Sequence, residues 1–321
     1  VPMSFPVMTF DAAILYDTPF RIPDYQALLG EVNQRLGRAG NGVAMTNLQA
    51  EGGVVFRSDN LYVAISFNRT RLPAEGFQAA LNAGVNRMRN ERFGHWVEDH
   101  IEHVFVTVGD GKLPMVPAMR ELMQAAGMAQ TVEAVDPRVK ISVLHSVVEA
   151  IVETIMPTPT VVHWCDTDLL YTAYDFPPVT PALPFPVSLT AQPQVFDTGL
   201  TPDGRQTHGI VMRRSELLCG RTLFADTTTY DPNAILAAMQ VIMLGHIIGA
   251  RELEDGVVGS FDERTAFRLE FRPPDPMTPA GGICMLIGPA EALQARATAA
   301  TQTGGAGRKG WWPFGKKRTL H

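Results

Sequence analysis

The sequence predicts an α+β fold of two lobes, with mixed and antiparallel sheets and helices packed against them. Three observations carry that expectation. Short β-rich runs paired across turn residues alternate with apolar stretches at helical spacing, the mixture found when hairpins and crossover helices share one chain. Six prolines, at 177, 178, 181, 184, 186 and 193, crowd one stretch, through which neither a helix nor a central strand can run. A length of 321 residues with 45% hydrophobic content supplies one large core or two ordinary ones. The expected divisions are a first lobe over 1–176, a proline-rich connection over 177–193, a second lobe over 194–290, and a helix with a flexible tail over 291–321.

Phe10 to Tyr16 is short and apolar, as a strand should be. Tyr25, Leu28, Leu29, Val32 and Leu36 follow at helical spacing behind Pro23 and Asp24. Those two suit a first turn, where a missing N–H costs little and a carboxylate meets the positive end of the dipole. Gly37 is expected to end that helix. Val54 to Phe56 and Leu61 to Phe67 flank Ser58-Asp59-Asn60 as a hairpin. A faint repeat links Ala13 to Tyr16, then Arg21-Ile22-Pro23, with Ala64 to Phe67, then Arg71-Leu72-Pro73. An old duplication or coincidence explains it equally well.

His103 to Val108 makes the next strand, and Met115, Met119, Met123 and Met128 form an apolar stripe read as core. Asp136-Pro137 opens a helix striped by Leu144, Val147, Val148, Ile151, Val152 and Ile155, and Thr160 to Cys165 is a strand. Beyond the prolines, β-like runs cover Val187 to Phe196 and Thr207 to Met212, with the turn signal Thr201-Pro202-Asp203-Gly204 between them. Asp231-Pro232 starts a second helix, in which Ala234 to Ala250 carries no charge. That segment falls short of the roughly 20 residues a bilayer requires and is interrupted by Gln240, Gly245, His246 and Gly249, so it reads as a helix buried on all sides. Phe267 to Phe271 and Ile283 to Ile287 close the second lobe as strands.

Cys165, Cys219 and Cys284 are too few and too far apart for a disulfide framework, and an odd count fits a reducing compartment. The N-terminus has no basic region ahead of an apolar run, so the expected location is cytoplasmic. No phosphate-cradling glycine loop, metal-protease helix, nucleophile elbow or paired-cysteine metal site is present in the sequence. No cofactor is therefore expected, and no reaction is declared.

The order of a histidine entering the strand His103-Val104-Phe105-Val106-Thr107-Val108, a long apolar helix, the strand Val161-Val162-His163-Trp164 and then Thr207-His208-Gly209 before Leu217-Leu218 resembles the bacterial domain-of-unknown-function 4261 family. The likeness spans roughly residues 8 to 290, and the run through Arg71-Leu72-Pro73 is similar to that family's opening. Cys165-Asp166 replaces the small residue that usually follows the strand tryptophan. The resemblance implies a compact intracellular α+β fold and carries over no activity.

Two groups of residues are candidates for function. His100, His103, His163 and Cys165 offer imidazoles and a thiolate suited to zinc if the strand carrying His163 approaches the end of the preceding helix, and a metal-dependent hydrolase would follow. The plainer alternative has His100 and His103 filling a helix-to-strand turn, with His103 bonded to a backbone carbonyl. The second group is the C-terminal tail, where Arg308, Lys309, Lys316, Lys317 and Arg318 surround Trp311, Trp312 and Phe314 without an acidic residue. The whole chain is formally −6, so the remainder is close to −11 once those five cations are set aside. Such separation points to an attachment device. It would suit another protein's acidic groove or an anionic membrane surface, with the protein peripheral to the membrane in the second case. Specific nucleic-acid binding is not expected from five charges on an acidic body. The sequence thus favours a non-enzymatic interaction or adaptor protein tethered by its tail.

Overall fold

The structure, a computed structural model, describes residues 8–39, 42–50, 53–111, 114, 133–180, 183–250, 252–276, 278–293 and 311–313. The chain divides into two units, Val1–Leu189 and Thr190–His321. The division falls inside the proline-rich stretch. The methionine stripe from 115 to 128 lies outside the described residues.

Unit 1 is built on a seven-stranded sheet of β1 (Phe10–Tyr16), β2 (Thr46–Ala50), β3 (Gly53–Arg57), β4 (Leu61–Asn68), β5 (Glu102–Asp110), β6 (Val161–Trp164) and β7 (Leu169–Tyr171). Its order is β2-β3-β4-β5-β1-β6-β7, and every pairing is antiparallel. Both faces of the interior strand β1 are covered, since Ala12 to Tyr16 are all buried, and this is why β1 reads as a largely apolar run.

One face carries α1 (Tyr25–Ala39) and, further along the chain, the helix Pro137–Thr154. Asp24 starts α1 by accepting from the Gln26 and Ala27 amides at 2.8 and 2.9 Å. The helix runs two residues past Gly37 rather than ending there, because a glycine in a last turn costs only about 1 kcal/mol and does not by itself break a helix. The opposite face carries α2 (Gln78–Asn82), α3 (Gly84–Arg89) and α4 (Phe93–Asp99). There Phe77, Ala80, Phe93 and Val97 pack on Ala13, Leu15, Val161 and Leu170. Buried Asn86 ties α2 and α3 to β7, donating to the Ala80 and Asp168 carbonyls and accepting from the Leu170 amide. The two halves of the faint repeat build different structures, since the first feeds a 15-residue helix and the second a four-residue 3-10 turn and a five-residue helix on the other face.

The helix Pro137–Thr154, α5, begins as the sequence predicts, with Asp136 accepting from the Arg138 amide at 2.8 Å. Its buried side chains include Lys140, Ser142, His145 and Ser146 as well as the apolar stripe. Lys140 and Asp110 form an ion pair of 2.7 Å with both side chains at 0% exposure. Arg35 of α1 meets Glu149 and Glu153 of α5 at 2.9 and 2.6 Å. His145 donates from Nε2 to the Pro177 carbonyl at 2.7 Å and stacks on Phe176.

Unit 2 holds a second seven-stranded sheet: β8 (Gln192–Leu200), β9 (Gln206–Arg213), β10 (Thr222–Thr228), β11 (Val258–Ser260), β12 (Thr265–Arg272), β13 (Gly282–Pro289) and β14 (Trp311–Pro313). The order is β14-β11-β12-β13-β10-β9-β8. β10 runs parallel to β13 and β14 parallel to β11, and the other pairings are antiparallel. The expected strand over Val187 to Phe196 begins only at Gln192. Val187–Thr190 is instead one helical turn, α6, for which Pro186 supplies a pre-set φ just ahead of the first residue. A further short helix, α7 (Glu216–Cys219), follows β9.

The uncharged helix is α8 (Pro232–Ile247), capped by Asp231 through the Asn233 amide at 3.1 Å. It is not buried on all sides. Ile235, Ala238, Met239, Ile242 and Met243 face inward, whereas Val241 is 46% exposed. A stretch that is apolar all round carries no periodicity to mark which face turns outward.

Gly109 on β5 lies under the Tyr62 ring, and a Cβ added there would sit 2.5 Å from the Tyr62 hydroxyl. Tyr62 is buried, so it has little room to give. Gly109→Ala should therefore lower the unfolding free energy by about 1–3 kcal/mol in urea titrations. A variant as stable as the parent would mean that the ring does not cover this glycine.

Candidate functional site

Strand β6 and the end of α4 bring His100 and His163 to the same face of the first sheet, but Phe77 stands between them. Its ring centroid is 5.1 Å from that of His163 and 6.1 Å from that of His100. His100 follows the last residue of α4, so it shares no helix face with His103, which is on β5. Both ring nitrogens of His100 are used: Nδ1 donates to the Val97 carbonyl at 2.5 Å, and Nε2 accepts from the Leu72 amide at 2.9 Å. His103 donates from Nδ1 to the Thr70 carbonyl at 2.7 Å. Burial pushes the pKa of each below its ordinary value.

These contacts correct the zinc expectation for His100, His103, His163 and Cys165. The His100 lone pair needed for a metal is spent on backbone, and a phenyl ring fills the space between the elements. Among the described residues, no group of three or more His, Cys, Asp or Glu is placed to hold a metal ion.

A different set does converge. The chain leaves β6 through a 3-10 turn, Cys165–Thr167, and turns at Asp168 with a left-handed φ of 53°, a conformation Asp tolerates better than most residues. That turn places the Cys165 thiol 3.7 Å from His163 Nδ1 and the Asp168 carboxylate 3.5 Å from His163 Nε2. The second distance is within ion-pair reach, yet Nε2 has no hydrogen-bond partner among the described residues. Asp11 joins from β1, accepting from the Thr107 hydroxyl at 2.6 Å and donating its amide to Asp166 at 3.0 Å.

Thiol, imidazole and carboxylate in this order have the layout of a nucleophile, base and orienting group. The electrostatics oppose that use. Burial, together with the charges of Asp11, Asp166 and Asp168, pushes the Cys165 thiol up to about 12. Burial likewise raises the Asp11 carboxyl. A thiol so placed stays protonated at neutral pH and is inert as a nucleophile. In the second unit, burial and the Asp226 charge push Cys284 to about 12 in the same way.

The tail departs from its expected free form. Trp311, Trp312 and Pro313 make β14, in register with Val258, Gly259 and Ser260, so the backbone carrying the two indoles is paired to a sheet. Arg308, Lys309, Phe314, Lys316, Lys317 and Arg318 lie outside the described residues.

The surface that the sequence reading passed over is β8. It is the opposite edge of the same sheet, and eight of its nine residues are exposed. Val195, Phe196 and Leu200 show 47%, 43% and 67% of their surface. Pro193 was the available signal, because a proline within a β-like run marks an edge strand. Phe196 lies over Gly209 of β9, where an added Cβ would meet the ring at 2.6 Å, so this large exposed ring is fixed in place.

The chain matches no family model, no curated protein and no solved structure.

Two outcomes test the site's electrostatics. Cys165 should resist iodoacetamide at about pH 8 while the chain is folded and react after unfolding in urea, read by mass mapping; rapid labelling of the folded chain would contradict the protonated thiol. Burial also lowers the pKa of His145, so His100, His103 and His145 stay neutral when folded but take up protons when unfolded, below their ordinary 6.5. Their contribution is complete above that pH and declines as acid is added, so urea midpoints should fall between about pH 7.5 and 5. A flat profile would contradict it.

Proposed function

We propose that the protein works by holding another protein and that β8 is the edge on which the partner is recruited. The exposure of β8 along almost its whole length carries this reading. An edge strand offers a row of main-chain donors and acceptors, and a partner strand can add to it. Its three large apolar side chains give such a partner something to bury. The use of both His100 ring nitrogens by backbone groups weighs against the alternative of a metal-dependent hydrolase. The cationic tail over 304–321 would add a second contact, to an acidic region of the same partner or to an anionic lipid surface. Among the described residues, no helix is long and apolar enough to cross a membrane. A kinship with the domain-of-unknown-function 4261 family remains part of this proposal, supported by the order of β5, β6 and β9, which carry the residues of the likeness.

Affinity capture with the full chain, a Val195→Lys/Leu200→Lys variant and a chain lacking 304–321 tests it. Both substituted positions are exposed, so the fold should persist while a charged edge resists strand addition. A stoichiometric partner of the full chain should bind the edge variant about tenfold or more weakly. Equal capture by the edge variant would refute β8 as the recruiting edge, and loss only on tail deletion would assign recruitment to the tail.

A further inference from the structure

The second sheet contains an opening within itself. β10 and β13 run parallel and pair from Thr222 and Gly282 to Phe224 and Cys284, where the ladder stops. Both strands nevertheless continue, to Thr228 and to Pro289. Over that distance, among the described residues, each has a ladder on its outer side only: β13 with β12 as far as Thr265 opposite Pro289, and β10 with β9 at Ala225 opposite Ile210 and Thr228 opposite His208. A register shift between Ala225 and Thr228 marks where β10 turns aside, as strands do at a bulge.

The point of divergence is braced. Asp226 accepts from Arg272 of β12 at 2.7 Å and from the Cys284 thiol at 3.5 Å. Beyond it lies a cavity of about 280 Å³. Thr227 and Thr228 line one side, and Leu286, Ile287 and Leu293 the other. At ~30 Å³ per water this is room for about nine waters.

We infer that this opening receives an extended peptide segment, whose main chain pairs with β10 and β13 at once. Strand edges facing one another across a gap present alternating N–H and C=O groups, and an extended backbone is the ligand that satisfies both rows. The unpaired stretch of about four residues, at ~3.3 Å each, sets the length read inside the sheet. Thr227 offers its hydroxyl to one side of the segment, beside a Thr228 hydroxyl that accepts from the Tyr230 amide at 3.1 Å, and Ile287 and Leu293 select an apolar side chain on the other. The site is separate from β8 and does not depend on the recruitment proposed there.

Hydrogen exchange on the full chain reads the opening directly. Amides of residues 227–228 and 285–288 that face it should exchange about tenfold or more faster than the amides between β12 and β13. A random heptapeptide library displayed on phage and panned against the full chain should yield sequences whose synthetic forms slow those same amides. Gly288 borders the cavity, and a Cβ there would be an ordinary 3.9 Å from Leu293. Gly288→Leu should therefore keep the thermal midpoint while binding falls about tenfold or more. Fast amides already protected in the free chain, a library without enrichment, or peptides that bind without slowing these amides would each overturn the inference, as would undiminished binding to a folded Gly288→Leu chain. If that variant fails to fold, the exchange measurement on the parent chain decides alone.

Discussion

The first unit depends on a charge pair that water never reaches. Lys140 and Asp110 both have fully buried side chains, and removing two ions from water costs several kcal/mol each before any attraction is counted. The pair persists because it is surrounded by hydrogen bonds. Asp110 accepts from the Met8 and Val135 amides, and Lys140 donates to the Met8 carbonyl as well as to the carboxylate. The ammonium also lies 5.7 Å from the centre of the Phe10 ring. Three stretches of chain meet at this corner: the entry to β1, the end of β5 and the approach to α5. An apolar contact in the same place would bury area without fixing which residues meet.

Much of the architecture was legible because local chemistry agreed with tertiary need. Asp-Pro announced α5 and α8, the Ser58-Asp59-Asn60 turn announced its hairpin, and the apolar run Phe10–Tyr16 announced a strand. Legibility failed where two states share a composition. Val187 to Thr190 is β-prone by residue type, yet Pro186 turned it into a helix. The short strands β7 and β11, with three residues each, carry too little pattern to be read. Nothing near Lys140 in the sequence marks its burial, because its partner Asp110 lies thirty residues away.

The candidate site shows the same limit more sharply. Spacing allowed His100, His103, His163 and Cys165 to meet around a metal, beside the plainer alternative of His103 bonded to a backbone carbonyl; His103 does bond the Thr70 carbonyl, and of the four only His163 and Cys165 are brought together, at 3.7 Å. Phe77 was absent from that reading, because nothing in its neighbourhood of sequence says that it will wedge between two imidazoles. Asp168 follows in sequence where the strand ends, but its carboxylate reaches His163 through a turn that takes a left-handed residue, which spacing does not foretell. The result is a cluster with the outline of a catalytic triad and a thiol that burial, reinforced by the surrounding carboxylates, keeps protonated. Among the described residues, main chain without a ladder partner lies instead at the strand edges of the second unit, on which the proposed function rests.

A double-mutant cycle on the buried pair tests this account of the first unit most directly. Unfolding free energies would be measured in urea for the parent, Lys140→Met, Asp110→Leu and the double variant. Each single change strands a buried charge, so each should cost about 3–5 kcal/mol, and the double variant should recover most of the combined loss. Single losses near zero, or losses that simply add in the double variant, would show that the pair does not hold this corner together.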